Sequence, residues 1–176
     1  MYSNTGGQAS KATPWGAVAR FASGGKQAAK KDLGYLARGY PDVYVATVAL
    51  GANQMQTLRA LREAQAWSGV SLVIAYASCV EHGIDMADGL AHQQAAVTSG
   101  YWPLYRHQPT LDRQGRLTLD SKPPSIEGSA LLATQGRFQS LRPHDPDSAA
   151  DVAAQLDEDN RARWANLVEN SGRTER

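Results

Sequence analysis

A strand–helix–strand pattern in the middle of the chain constrains its fold more than any other feature. Residues 43–50 and 70–77 are almost uniformly apolar and rich in β-branched side chains, which is typical of strands buried on both faces of a parallel sheet. Residues 54–67 lie between them and follow a helical period, with the spaced positions Met55, Leu58, Leu61 and Ala64 or Gln65. This order predicts a βαβ unit and therefore an α/β fold with parallel neighbouring strands.

Weaker patterns flank this unit. Pro103 has no amide hydrogen to donate to a neighbour, so an aromatic strand around it is expected at a sheet edge. The remaining predictions are a loop over residues 3–25 anchored by Trp15, Val18 and Phe21, helices over 26–40, 90–98 and 129–141, the edge strand over 101–106, and extended loop over 107–128.

A longer amphipathic helix is predicted at the carboxyl end. Ser148 is the expected N-cap, and Asp151 follows at the third helical position, as in a capping box. An interrupted apolar stripe indicates that the helix packs on another surface; its members are Val152, Leu156, Trp164, Leu167 and Val168. We therefore expect a domain over residues 1–128 and a C-terminal helical extension over 129–176.

The composition excludes several classes of function. Eighteen basic and seventeen acidic residues give a net charge of +1, so no overall field attracts nucleic acid or acidic lipid. The longest apolar stretch is far shorter than the roughly 20 residues that span a membrane, and residues 2–8 do not resemble a signal peptide. Cys79 is the single cysteine, which excludes an intrachain disulfide and an all-cysteine zinc site. A cytoplasmic protein is expected, with no nucleic acid or membrane as partner.

The first residues have the character of a ligand-binding loop. Residues 2–8 read Tyr-Ser-Asn-Thr-Gly-Gly-Gln, and no strand pattern precedes them. In open parallel sheets such loops follow the carboxyl ends of strands. We therefore expect a chain that is part of a longer polypeptide. The alternative is a polar amino-terminal segment without a function.

Six segments of the chain, taken in order, are characteristic of one family. They are residues 2–14, 30–32, 51–54, 78–83, 100–104 and 119–122. With these segments the chain closely resembles the C-terminal, thiamine-diphosphate-binding region of pyruvate:ferredoxin and pyruvate:flavodoxin oxidoreductases. The stretch after Cys79 is more similar to the flavodoxin-linked branch, which is often associated with nitrogen fixation. The resemblance implies a partial doubly wound parallel sheet of the thiamine-diphosphate-binding fold.

The resemblance also implies a reaction, its cofactors and its partners. Members of the family oxidatively decarboxylate pyruvate with CoA to acetyl-CoA and CO2, and electrons pass through 4Fe–4S clusters to flavodoxin or ferredoxin. The cofactors implied are thiamine diphosphate, Mg²⁺ and a 4Fe–4S cluster, all shared with polypeptide outside this chain. The partners implied are the remainder of the oxidoreductase and, because the family is homodimeric, a second copy of it.

The resemblance assigns the first four residues to the cofactor site. Asn4 corresponds to the asparagine that lies beside the thiazolium and pyruvate, where its amide steadies a developing oxyanion. Met1 occupies the position whose backbone carbonyl is a ligand of Mg²⁺, and Tyr2 and Ser3 complete the cofactor-binding run. The Gly-Asp-Gly motif that supplies another magnesium ligand in the family is absent from this chain.

Cys79 has two interpretations. A lone cysteine at the end of a strand is usually a small buried apolar side chain. The resemblance instead makes it the fourth ligand of the cluster nearest thiamine, with three cysteines supplied from elsewhere. Since these clusters need about four thiolates, one cysteine cannot hold a cluster by itself.

Other polar residues carry weaker signals. Lys26 ends a Ser-Gly-Gly-Lys run without the spacing of a phosphate loop. Lys30 and Lys31 are predicted to lie on the solvated face of a helix. Asp120 and Lys122 are predicted to anchor the chain to other parts of the enzyme. The four histidines have no metal-ligand spacing, and solvated or structural roles are expected for His82, His92, His107 and His144.

Three functions stay open on the sequence. The first is the oxidoreductase piece described above, inactive without the remaining polypeptide. The second is an inactive truncated gene product, or a non-catalytic remnant that binds a partner. The third is a piece of another thiamine-dependent 2-oxoacid oxidoreductase. A partial sheet would in each case leave an open edge and an uncovered apolar face, which predicts poor solubility.

Overall fold

A four-stranded mixed sheet lies at the centre of the protein. It is seen in a computed structural model that describes residues 1–110, 115–140 and 146–172, with side chains of the last segment from residue 149 onward. The strands lie in the order β2–β1–β3–β4. Their bounds are β1 Tyr44–Val48, β2 Ser71–Ala75, β3 Tyr105–Gln108 and β4 Arg116–Leu119.

The predicted βαβ unit is confirmed. β1 and β2 pair in parallel, and the helix α2 (Gln54–Ala66) connects them. All five residues of β1 are buried, as expected of a strand covered on both faces. β2 lies at the edge of the sheet and is only partly buried. The chain is therefore an α/β protein with an open sheet.

Two strand predictions are wrong. The aromatic strand begins later than predicted, as β3, and lies between β1 and β4 rather than at an edge. It pairs antiparallel with both neighbours, so the described sheet is mixed. Pro103 precedes β3, where its missing amide hydrogen costs no ladder bond, and its carbonyl accepts a 2.7 Å hydrogen bond from Thr47 Oγ1. β4 was predicted as loop, because four residues give too short an alternation to detect.

Helices cover both faces of the sheet. The helix α1 (Leu33–Arg38) begins at Asp32, whose carboxylate accepts a hydrogen bond from Tyr35 N; the predicted first half of this helix is not helical. The remaining helices are α3 Gly89–Thr98, α4 Gly128–Leu132, α5 Gly136–Gln139 and α6 Pro146–Asn170. α6 includes Ser148 inside its first turn, so Ser148 is not the N-cap. None of the described helices is both long and apolar enough to cross a bilayer.

Apolar side chains collect in three clusters. One joins Tyr44, Ala46 and Val48 of β1 to Ala60 of α2. A second lies on the opposite face and joins Val45 to Trp164 and Leu167 of α6. The third lies beside the sheet and joins the long loop, α3, α4 and α6; its buried members are Ala17, Ala96, Tyr101, Leu131, Leu132, Phe138, Val152 and Leu156.

The apolar stripe predicted for α2 faces outward instead of inward. Met55, Leu58 and Leu61 are 69%, 41% and 51% exposed, whereas Gln56 and Ala60 are buried. The small residue faces the sheet because Tyr44 of β1 fills the space beneath the helix and donates a hydrogen bond to the carbonyl of Ala60 (3.3 Å). An apolar helix face is therefore left in contact with solvent.

The long amino-terminal loop is ordered by backbone hydrogen bonds. Trp15 and Val18 pack against the third cluster, as predicted. Phe21 does not, since it is 94% exposed and sits at a turn with a φ of 64°. The loop is held further by Val18 N, which donates to the carbonyl of Arg137 in α5 at 2.8 Å.

Candidate functional site

The predicted cofactor loop closes on itself in a short hydrogen-bonded turn. Ser3–Thr5 form one turn of 3-10 helix. Tyr2 N donates to the carbonyl of Gln8 at 3.0 Å, and Gly7 N donates to the carbonyl of Tyr2 at 2.9 Å. Ser3 and Asn4 are exposed at the tip. Backbone groups of the loop form hydrogen bonds with each other, and the Asn4 side chain is exposed to solvent.

Glycine allows this loop to contact the turn that follows Cys79. Gly7 is buried and has a φ of 87°, a region that favours glycine. A Cβ at this position would lie 2.4 Å from Oε2 of Glu81. Glu81 belongs to the single 3-10 turn Val80–His82, which begins immediately after Cys79. The two segments that the sequence singled out therefore meet directly.

Cys79 lies just beyond the carboxyl end of β2. Its side chain is free and partly exposed, and its carbonyl accepts a 2.9 Å hydrogen bond from His82 N. Ser78 Oγ, next to it, donates to the carbonyl of Gly89 at 3.1 Å and fixes the turn to α3. The thiol is neither deeply buried nor paired with another cysteine, so it is accessible to a ligand.

Electrostatic interactions join Met1 to the same neighbourhood. Burial lowers the pKa of the Met1 amine, Arg137 lowers it further, and Cys79 acts in the opposite direction. Burial also lowers the pKa of His82 to about 3, with Arg137 again the next cause. Met1 and His82 thus both experience the charge of Arg137, and His82 is neutral at neutral pH.

The described residues can supply only part of a metal site. Among residues 1–110, 115–140 and 149–172, no group of three or more His, Cys, Asp or Glu side chains could hold a metal ion. Cys79 fits the role of one thiolate in a cluster of four, and the backbone at Met1 fits that of one oxygen ligand. The remaining ligands would have to come from outside the described residues.

Two lysines that the sequence singled out have partners within the chain instead. Lys26 Nζ donates to the carbonyls of Lys11, Thr13 and Ala29 at 3.3, 2.7 and 3.2 Å, so it ties the loop together and is not a phosphate ligand here. Lys30 is not on a helix; its ammonium lies 5.1 Å from the centre of the Trp102 ring.

Asp120 forms an internal ion pair rather than an anchor to other polypeptide. Its two carboxylate oxygens accept hydrogen bonds from Nε and Nη2 of Arg106 at 2.8 and 2.9 Å. Arg106 also pairs with Glu63 of α2. Glu63 accepts a 3.0 Å bond from the Tyr44 hydroxyl, and Asp120 accepts one from Gln56 at 3.1 Å. This buried network fastens α2 to the sheet.

Sequence reasoning assigned no role to Arg137, to Glu81 or to the two glycines that bring α5 onto the Cys79 turn. Gly136 N donates to the carbonyl of Gly83 at 3.0 Å, and a Cβ on Gly83 would lie 2.7 Å from the Cα of Gly136. A contact between residues so far apart in sequence cannot be read from local pattern.

The fold and the site define the class of this chain as an α/β protein with an open mixed sheet, in which a polar loop lies against a cysteine-bearing turn. No family model matches the chain. It is 50% identical over 166 residues to a pyruvate-flavodoxin oxidoreductase of Trichormus variabilis, which covers 93% of this chain and 14% of the relative.

Two further relatives agree. A pyruvate-flavodoxin oxidoreductase of Rhodospirillum rubrum is 47% identical over 173 residues, or 98% of this chain and 14% of the relative. A pyruvate:ferredoxin oxidoreductase of Moorella thermoacetica is 48% identical over 165 residues, or 93% and 14%. The chain belongs to the pyruvate-flavodoxin and pyruvate:ferredoxin oxidoreductase family, and it spans about one-seventh of the length of these relatives.

Proposed function

We propose that this chain is the C-terminal, thiamine-diphosphate-binding piece of a pyruvate:flavodoxin or pyruvate:ferredoxin oxidoreductase and that it works only with the remainder of that enzyme. One observation carries the proposal: the contact between Gly7 and Glu81 places the loop at residues 1–8 against the turn that follows Cys79. The family resemblance assigns these two segments to thiamine and to the neighbouring cluster. A shared site requires them to be adjacent.

The reaction proposed for the complete enzyme converts pyruvate and CoA to acetyl-CoA, CO2, one proton and two electrons. Thiamine diphosphate, when bound, supplies the carbanion chemistry of decarboxylation. The acceptor is a flavodoxin or a ferredoxin. The contribution of this chain is to present polar groups to the reacting end of the cofactor and one thiolate to the electron path.

Asn4 is the proposed catalytic residue. Its amide lies at the exposed tip of a loop whose backbone is already hydrogen-bonded, so little reorganisation is needed before it donates to a developing oxyanion. Donors fixed in advance are worth about 10²–10³-fold in rate in comparable sites. Met1 would supply a carbonyl oxygen to Mg²⁺, and Tyr2 and Ser3 would lie along the cofactor.

Cys79 is the proposed fourth ligand of a 4Fe–4S cluster. The thiol stands on a turn that is tied to α3 by Ser78 and closed by the His82 amide, which fixes the ligand in position. Its partial exposure leaves room for a cluster at the surface of this chain.

The remainder of the enzyme is the proposed partner of the open sheet edge. β2 is partly exposed at the edge of a parallel pair, whereas parallel strands are normally buried on both sides. Met55, Leu58 and Leu61 of α2 and Val70 before β2 are exposed next to it. In a complete cytoplasmic enzyme, the remaining six-sevenths of the polypeptide would cover this surface. That would account for both the partly exposed strand β2 and the exposed apolar side chains beside it.

A non-catalytic remnant is the competing interpretation. It is favoured by the absence of a complete metal-ligand group from the described part of the chain. Such a remnant would keep the fold and the apolar surface but would bind neither thiamine diphosphate nor iron when the other parts of the enzyme are present.

Variants of the complete enzyme containing this chain separate the two interpretations. We expect Cys79→Ser to lower the iron content by one cluster, and Asn4→Ala to keep the iron and lose about 10²–10³-fold in pyruvate-dependent rate. Ser78→Ala is the matched control for the turn and should retain iron. Full iron content in the Cys79→Ser protein would contradict the assignment of the cluster ligand.

A further inference from the structure

Arg137 is a buried cation for which the described residues provide no counter-ion. It is 6% exposed. Within residues 1–110, 115–140 and 149–172, the ion pairs found involve only Arg106. Burying an unpaired charge is costly, and such charges are usually paired or bound to a charged group. A buried arginine of this kind indicates that a negative charge is supplied by something outside the described part of the chain.

The side chain is held in place by polar and aromatic neighbours. Nε donates to Oε1 of Gln135 at 2.8 Å, and the guanidinium carbon lies 5.2 Å from the centre of the Phe138 ring. Gln135 is itself 1% exposed and hydrogen-bonds to Tyr76, just beyond β2. The guanidinium is therefore fixed relative to the carboxyl end of β2.

A close contact between two glycines sets the distance from Arg137 to the Cys79 turn. Gly83 follows that turn with a φ of 69°. A Cβ on Gly83 would lie 2.7 Å from the Cα of Gly136, and one on Gly136 would lie 3.2 Å from the Cα of Gly83. Any larger residue would push α5, and Arg137 with it, away from the turn.

Backbone hydrogen bonds connect the segment of Arg137 to the Cys79 turn. Gly136 N donates to the carbonyl of Gly83 at 3.0 Å, and Gly83 N donates to the carbonyl of Val80 at 2.9 Å. Arg137 therefore directly follows the residue that is bonded to the end of the turn that begins at Cys79.

We propose that Arg137 raises the reduction potential of the cluster that would be bound through Cys79, acting as a fixed positive charge close to the turn that carries this cysteine. This inference rests on the proposed function, because it takes Cys79 as a cluster ligand. Reduction adds one electron, and therefore one negative charge, to the cluster. A cation fixed in a poorly hydrated environment stabilises that added charge more strongly than water-exposed lysines would.

The test measures the midpoint potential of the cluster in the anaerobically purified complete enzyme that contains this chain, by reductive titration followed by EPR. In Arg137→Gln we expect the reduced-to-oxidised ratio at a given potential to fall about tenfold, which is a shift of about 59 mV for one electron. Arg137→Lys keeps the charge and should recover at least half of the shift. Arg62→Gln, on the exposed face of α2, is the control.

Iron content and midpoint potential together distinguish failure of this inference from failure of the proposed function. Iron retained with a lowered potential in Arg137→Gln supports the inference. Iron retained with an unchanged potential overturns it and leaves the proposed function intact. If the Cys79→Ser enzyme contains as much iron as the wild type, the proposed function is overturned and this inference with it. If Arg137→Gln fails to fold, Arg137→Met takes its place: iron retained with a potential lowered by about 59 mV supports the inference, and iron retained with an unchanged potential overturns it.

Discussion

The network around Arg106 permits the most quantitative prediction. The side chains of Arg106, Asp120 and Glu63 are only 8%, 12% and 23% exposed. Replacing Arg106 by methionine would leave two carboxylates buried near one another without a cation. Removing one partner of a buried ion pair costs about 3–5 kcal/mol in the free energy of unfolding. For a chain of this size that corresponds to a fall in melting temperature of roughly 6–20 °C.

Two further variants isolate the cause. Arg62→Met removes an exposed arginine of α2, next to Glu63, and should change the free energy of unfolding by no more than about 0.5 kcal/mol. The triple variant E63Q/R106M/D120N removes all three charges but keeps amide oxygens for Tyr44 and Gln56. We expect it to recover at least half of the loss, because the penalty of Arg106→Met comes mainly from unpaired carboxylates.

Urea unfolding followed by circular dichroism at constant pH is the assay for these variants. If Arg106→Met were as stable as Arg62→Met, the ion pairs would contribute nothing and the account of how α2 is fastened to the sheet would be wrong. If the triple variant were the least stable of the set, the charges would be net stabilising and the desolvation argument would fail.

Three other predictions concern stability and solubility. Burial lowers the pKa of His107, with Arg38 as the second cause. The folded state therefore binds fewer protons than the unfolded state, and the free energy of unfolding should fall as the pH drops below about 6.5. Urea titrations at pH 7.5 and 5 should show a smaller fall for His107→Gln than for the wild type. Gly136→Ala would place a Cβ 3.2 Å from the backbone of Gly83 and should lower the free energy of unfolding by about 1–3 kcal/mol. The control Gly24→Ala, with open space around it, should be neutral or slightly stabilising. Equal free energies of unfolding for the two variants would contradict the contact between Gly136 and Gly83. The double variant M55E/L61K should increase the monomeric fraction in sedimentation velocity without changing the circular dichroism spectrum, and an unchanged fraction would show that the α2 face does not drive association.

The sequence was sufficient for those elements whose pattern is local and long. β1, α2 and β2 were predicted to within three residues at every boundary, because long apolar runs and a helical period are properties of neighbouring residues. β4 was missed because its four residues are too few for a pattern. The inward face of α2 was predicted wrongly, since a large Tyr44 beneath the helix selects Ala60 and only the structure shows that contact.

The candidate site could likewise be predicted from the sequence only in part. Asn4 and Cys79 were predicted as site residues because they belong to recognisable motifs, and these assignments remain proposals. The contact that brings their segments together depends on Gly7, whose missing side chain leaves space for Glu81, and that space is a tertiary property. Arg137 carries no motif at all, and its burial follows from the packing of α5 against a turn more than 50 residues away in sequence.

The central claim is that this chain works as part of a larger iron–sulfur oxidoreductase. Its most direct test is the native mass and iron content of the tagged chain, recovered anaerobically from its own cells, with the co-purifying polypeptides identified by mass spectrometry. We expect a large, iron-rich complex that contains the remaining segments of a pyruvate-flavodoxin or pyruvate:ferredoxin oxidoreductase. An iron-free monomer or aggregate would contradict the claim and leave the non-catalytic remnant as the better description.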